Sequence, residues 1–281
     1  MFSAISNLFG YLLNFLYELV NNNFGYAIIL FSILLRLILL PITIKQQKSM
    51  KKTGKIQGKI KELQVKYKNN PEMLNKETME LYKKEKISPF SGCLSAIVQI
   101  IIILSVFYLV SKPLTYMKKV DESVINDYKS QIIEQEGSIS NYYEIEIIQK
   151  KAAENEAVNI NMEFLGLDLS KVPNKNLKDI KVYIIPILYV ISSFISIRLT
   201  TKAQNDVMNN KNNDNKGKSE ADAMAEMNKS MSYIMPIMTV SIAFIAPLGL
   251  ALYWLVSNVL MIGERFIIKK FVDTKEADEH A

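Results

Sequence analysis

The amino-acid sequence predicts an all-α polytopic membrane protein with five transmembrane helices, an N-terminal amphipathic interfacial helix and a cytoplasmic helical hairpin. Three observations carry this. The 281 residues average only +0.09 in mean hydropathy, but that average mixes Lys- and Asn-rich stretches with several runs of 16 to 18 residues almost free of charge. Repeated along one chain, such runs are the mark of membrane spans. The second observation is a dense block of Lys directly after the first run, which sets an orientation. The third is apolar spacing of three and four residues before the first run and inside the Lys block, the period of a helix with one apolar face.

The elements follow in order. In residues 1–23, Phe2, Ile5, Leu8, Leu12, Leu16 and Leu19 recur at helical spacing, while Ser3, Ser6, Asn7, Asn14 and Glu18 fill much of the rest, with no Lys or Arg. A signal peptide would carry a basic start and a small-residue cleavage site. The pattern fits an amphipathic helix in the membrane interface better. Asn21-Asn22-Asn23 breaks it from the first span, 24–44, which holds Pro41 near its end. Residues 45–91 read as the hairpin: Ile56, Ile60, Leu63 and Tyr67 give one helix a seam, Asn69-Asn70-Pro71 turns the chain, and Leu74, Thr78 and Leu81 continue at helical spacing. The second span is 92–111, followed by an outer loop, 112–181. The third span is 182–199 and the fourth 231–246. Between them lies a loop, 200–230, whose NNKNNDNKGK stretch is expected to be flexible. Pro247-Leu248-Gly249 turns into the fifth span, 247–264, and a short tail, 265–281, ends the chain. Runs of 16 to 18 residues reach only about 24–27 Å at ~1.5 Å per residue, short of the ~30 Å hydrocarbon core. Such spans thin the bilayer or let polar ends dip into it.

Residues 45–91 hold 13 Lys against 5 Glu, whereas 112–181 hold 10 Lys against 12 acids. The positive-inside rule therefore places the hairpin in the cytoplasm, the N-terminus outside and, after five spans, the C-terminus inside. The abundant Lys, Asn and Ile suggest a bacterial chain from an AT-rich genome, in the cell (plasma) membrane. The rare residues exclude much chemistry. His280 and Cys93 are the only His and the only Cys, so disulfides, redox pairs, Cys-ligated zinc and His acid–base work fall away. No phosphate-binding Gly loop is present. No enzyme, no cofactor and no specific nucleic-acid partner is expected.

One ionisable residue sits deep in an apolar run: Arg36, in LLRLILLPI, about 12 Å of helix from the end of its span. An Arg there costs roughly 3 kcal/mol on insertion scales unless it reaches water or a partner. No Asp or Glu lies inside an apolar run. Two readings stand: a side chain that snorkels to the inner headgroups, or the fixed charge of a water-filled cavity open to the cytoplasm. Ser32, one turn before Arg36, Gln99 in span two, and Ser192, Ser193 and Ser196 in span three could line such a cavity or serve helix packing. Tyr253 and Trp254 read as groove residues or as an interfacial aromatic pair. The missing acids argue against a proton-coupled transporter.

These motifs together resemble the YidC/Oxa1/Alb3 family of membrane protein insertases. The resemblance rests on RLILLPITIKQQKSM at 36–50, KIKELQVKYK in the hairpin, PFSGCL followed by Gln99, MEFLGLDLS before the Pro186 span, and PLGLALYWLVSN at 247–258. It implies a substrate groove open to the cytoplasm and lipid, with Arg36 as its arginine, Ser32 a polar position one turn earlier, Gln99 a polar position in span two, and Tyr253 and Trp254 an aromatic pair passed by nascent transmembrane segments. Ser192 and Ser196 are counted with them as candidate groove residues. Nascent membrane proteins and the lipid bilayer are the implied partners, with the ribosome, the signal-recognition receptor and the Sec translocon as candidates for the basic hairpin. The chain departs from the family in lacking Pro after PFSGCL, in an apparent insertion at about 118–158, and in its short acidic tail. A specialised paralogue or assembly scaffold is the alternative, with a channel or small-solute transporter behind it.

Overall fold

The computed structural model describes residues 2–85, 91–208 and 241–278. It is mostly helical. Most of the fourth span, much of the 200–230 loop and His280 lie outside the described residues. Among those described, three helices are long and apolar enough to cross a membrane, within Phe24–Gly54, Ile180–Leu199 and Leu248–Ile268, and a shorter apolar stretch, Ile97–Ser111, lies within a 21-residue helix. The chain divides into two compact units, one of Met1–Ile38, Gln99–Ser193 and Met238–Met261, the other of Leu39–Val98, Phe194–Ile237 and Ile262–Ala281.

The first unit begins with α1, Phe2–Leu19. Asn21 and Asn22 both take φ 56, the left-handed region that Asn tolerates better than most residues, and this ends the helix where the Asn run predicted a break. Asn23 then caps the next helix, α2 (Phe24–Lys66): its Oδ1 accepts from the Tyr26 amide at 3.2 Å, satisfying a donor the first turn leaves open. The sequence ended a span at residue 44, whereas α2 runs on for 43 residues. The Lys, Gln and Ile that follow are adequate helix formers, and no Gly-Pro or Asn-Pro pair interrupts them before Asn70-Pro71.

The helix α4 (Ser91–Ser111) closes in a π-helical turn, Leu114–Lys118, ended by Lys119 at φ 55. The stretch that follows folds as two helices, α5 (Glu122–Glu136) and α6 (Tyr143–Lys151). Asp121 caps α5 and Gly137, at φ 76, ends it. Ile125 and Ile132 of α5, and Ile145, Ile147 and Ile148 of α6, are buried. A two-stranded hairpin follows, β1 (Glu163–Phe164) and β2 (Leu167–Asp168), antiparallel. Its turn residues Leu165 and Gly166 both have positive φ, 51 and 75, the geometry that suits the twist of paired strands.

This segment between α4 and α7 (Ile184–Met208) caps the helices beside it. The Phe24 amide donates to Asn161 O at 3.0 Å, Leu248 N to Lys171 O and Gly249 N to Leu169 O, both at 2.9 Å. The first turns of α2 and of the last helix, α8 (Leu248–Asp278), thus have protein acceptors for donors that lipid could not satisfy. A Cβ on Gly10 would fall 1.8 Å from Tyr116 O, and one on Gly25 2.4 Å from the Phe164 ring. The π-helical turn therefore approaches α1, and the strand hairpin approaches α2, closer than a side chain at either glycine would allow. Helix α7, Ile184–Met208, follows a short 3-10 turn, Ile180–Tyr183.

In the second unit the arm of α2 lies beside α3 (Pro71–Lys84). Ile56 and Ile60 are buried, with Leu81 and Tyr82 packed on them, and Lys59 Nζ meets Glu85 Oε1 at 2.7 Å. Asn70 caps α3 by accepting from Met73 N at 3.1 Å, and Pro71 occupies the first helical position, where its missing N–H costs nothing.

Candidate substrate groove

The first unit gathers five of the seven predicted site residues on α2, α7 and α8. Apolar runs build these helices, and their few polar side chains must find partners among one another or the backbone. Arg36 is half-buried, and its Nη2 donates to Ser257 O at 3.2 Å. Tyr253, one turn before Ser257 on α8, is 6% exposed. Its phenol lies against the Ser257 side chain and within electrostatic reach of Arg36. The guanidinium of α2 is thus held by α8, close to the aromatic block that the sequence singled out. Trp254 is half-buried, with its ring 6.0 Å from that of Tyr189 on α7.

Ser32 lies one turn from Arg36 but is 1% exposed, and its hydroxyl donates to Ile28 O of its own helix at 2.7 Å. Such a bond spends the donor locally. Ser192 is likewise buried, its hydroxyl donating to Tyr189 O at 2.8 Å. Gln99 is exposed. Ser196 is buried and belongs to the second unit.

The residue that sequence reasoning missed is Asn258. Its Nδ2 donates to Ser193 Oγ at 2.8 Å, with Ser192 Oγ at 3.4 Å, joining α8 to α7. Its neighbour Ser257 supplies the carbonyl for Arg36. Two adjacent residues of α8 therefore hold α2 on one side and α7 on the other. The signal is present in the sequence, since Ser257-Asn258 closes the YWLVSN block, although the aromatics ahead of it are the more conspicuous residues.

A set of one guanidinium, backbone carbonyls, hydroxyls, an amide and two aromatic rings can attract, orient and shelter a polar group. Among the described residues no cluster of His, Cys, Asp and Glu could hold a metal ion. The family model described as 60Kd inner membrane protein matches residues 15–276. The chain is 28% identical over 270 residues to a protein of Fusobacterium nucleatum named membrane protein insertase YidC, covering 96% of this chain and 97% of that one. Identity to the protein of the same name from Caldanaerobacter subterraneus is 28% over 278 residues, 98% of this chain and 99% of the other. A Listeria innocua protein named membrane protein insertase YidC 2 is 27% identical over 269 residues, 93% and 69% of the two chains. With the family model covering nearly the whole sequence, the chain belongs to the 60Kd inner membrane protein family, that of the YidC/Oxa1 insertases, membrane proteins that act without enzymatic chemistry.

Proposed function

We propose that this protein is a membrane protein insertase that passes nascent transmembrane segments into the bilayer through a hydrophilic groove open to the cytoplasm. The observation that carries the reading is Arg36: a half-buried guanidinium in an apolar helix, tethered to Ser257 O and so held in place. In this reading five spans cross the membrane, the N-terminus lies outside, the C-terminus lies in the cytoplasm, and α1 rests in the outer interface. A nascent apolar segment enters the inner leaflet beside α7 and α8, while its short polar or acidic flank waits near Arg36. Attraction between a carboxylate and the guanidinium is several-fold stronger in a partly dry cavity than in water. Gln99 keeps the path polar, and Tyr253 and Trp254 give the moving segment a smooth aromatic edge. Release of the apolar segment into lipid drives the step, and short spans lower the barrier for the flank. The basic hairpin offers a cytoplasmic surface for the ribosome, the signal-recognition receptor or the Sec translocon.

The test uses purified protein in liposomes and a newly synthesised single-span substrate with an acidic outer flank. Protease protection reads the translocated flank. Insertion by wild type above empty liposomes is expected, reduced roughly tenfold in Arg36→Ala, the loss of one charge-assisted contact, and largely kept in Arg36→Lys. Unchanged insertion in Arg36→Ala removes the arginine's role. No insertion by wild type overturns the generic insertase in favour of a specialised paralogue or scaffold, and anion current across the liposome would indicate a channel.

A further inference from the structure

Helix α1 presents three sides, because successive residues turn by ~100°. Ser6, Gly10, Leu13 and Tyr17 face the rest of the unit and are buried. Ser3, Asn7, Asn14 and Glu18 form a polar strip next to them. On the third side Leu8, Tyr11, Phe15 and Leu19 project outward, 67%, 65%, 62% and 65% exposed. Sequence periodicity suggested one apolar side; the structure divides the apolar residues between an inner contact and an outward stripe.

Lys119 stands where the polar strip meets that stripe. Its Nζ donates to Asn7 Oδ1 at 2.5 Å and lies 4.4 Å from the centre of the Tyr11 ring. Its backbone is in the left-handed region at φ 55, with its N–H bonded to Leu114 O, so the side chain leaves a fixed point. Lys118 lies 5.0 Å over the Tyr17 ring, about 9 Å farther along α1. Among the described residues neither ammonium has a carboxylate at ion-pair distance. The one acid of α1, Glu18, accepts from Asn14 Nδ2 at 2.7 Å. Partial loss of water holds the Lys119 ammonium below its ordinary value, so it gains more from an anion than a fully hydrated lysine would.

We propose that Lys119 and Lys118, with Asn7 and the outward stripe of α1, form a binding site for the phosphate of an anionic phospholipid in the outer leaflet. The site rests on the interfacial reading of α1 given above. The stripe sets the depth: an amphipathic helix sinks about 5–10 Å into the headgroup and acyl boundary, which brings the edge of the stripe, and Lys119 with it, to the level of the phosphates. An ammonium has three donors; Asn7 takes one and two remain. Tyr11 faces the ammonium at the depth where interfacial aromatics settle. A choline headgroup brings its own cation to compete with the lysines, whereas a glycerol headgroup leaves its phosphate charge free, so the pair selects for net negative lipid.

The full-length protein with Cys93→Ser and Leu8→Cys, labelled with a fluorophore at residue 8, is placed in vesicles containing acyl-nitroxide phosphatidylglycerol or phosphatidylcholine. Quenching reads which lipid lies beside α1, separately from insertion activity. Stronger quenching by phosphatidylglycerol is expected. Its preference should fall roughly 25-fold in Lys118→Gln/Lys119→Gln, about fivefold per lysine near a membrane surface. It should survive in Lys118→Arg/Lys119→Arg and in the hairpin variant Lys51→Gln/Lys52→Gln. Equal quenching by both lipids in the wild type overturns the phosphate site while leaving α1 in the interface. Quenching by neither lipid overturns the interfacial reading itself. Loss of the preference in inorganic phosphate, against chloride at equal ionic strength, would assign the site to free phosphate and sink the lipid.

Discussion

Single atoms decide how the segment between α4 and α7 holds together. Glu144 of α6 is fully buried, with its Oε2 accepting from Thr115 N at 3.0 Å and its Oε1 from the Thr115 hydroxyl at 2.6 Å. Burial raises its carboxyl above the ordinary carboxylate value, opposed by those bonds and by nearby Lys112. A raised value means that the folded form binds the proton more tightly, so this contribution to stability is fully present below the unfolded value and is lost as pH rises through the folded one. Exchange protection at the Thr115 amide, corrected for intrinsic rate, should therefore increase on mild acidification from neutral, and Glu144→Gln should flatten that dependence. A rise in protection towards alkaline pH would refute it. Gly10 is the second such position. Its missing Cβ leaves room for Tyr116 O, and Gly10→Ala should cost about 1–3 kcal/mol or more, read as a lower melting temperature in detergent.

Between elements, a few polar contacts position the apolar helices. Lipid is as apolar as Leu, so helices in a membrane gain little from hydrophobic burial and rely on packing and hydrogen bonds. The bond from Asn258 to Ser193 is of this kind. A double-mutant cycle of Asn258→Leu and Ser193→Ala should return a coupling of roughly 0.6 kcal/mol, with about 1.7 as a ceiling; zero coupling would show that packing alone sets the α7–α8 pair. The helix pair α5 and α6 also has a task. It buries five Ile residues, and α6 supplies Glu144 to the turn after α4. It is a folded buttress for that turn.

At the scale of the whole molecule, membrane thickness is the variable. Helix α4 is 21 residues long, about 31 Å at ~1.5 Å per residue, close to the ~30 Å hydrocarbon core. In the proposed groove reading, a thinner bilayer lowers the barrier for the polar flank. Insertion by the reconstituted protein should therefore be faster in vesicles with shorter acyl chains at equal headgroup composition. Rates independent of chain length would remove thinning from the mechanism.

Much of this could be read along the chain, because its signals are local. The Asn21–Asn23 break, the Asn70-Pro71 cap and the apolar runs at α2, α7 and α8 depend on residues a few positions apart. The hairpin seam through Ile56 and Ile60 does so equally, and the arginine stood out because charge is rare in such runs. Four features came only from the tertiary structure. The carbonyl of Ser257 that holds Arg36 lies 221 residues from it in sequence, and a backbone acceptor leaves no residue-type signature. Asn258 reaches Ser193 across 65 residues. Ser32 shares a helix face with Arg36, yet burial and its own backbone bond remove the freedom that its position suggested. The outward stripe of α1 became distinct only once its inner side was covered. Periodicity gives the face of a helix, but the neighbour that covers the face is set by contacts between distant segments, and these depend on shape.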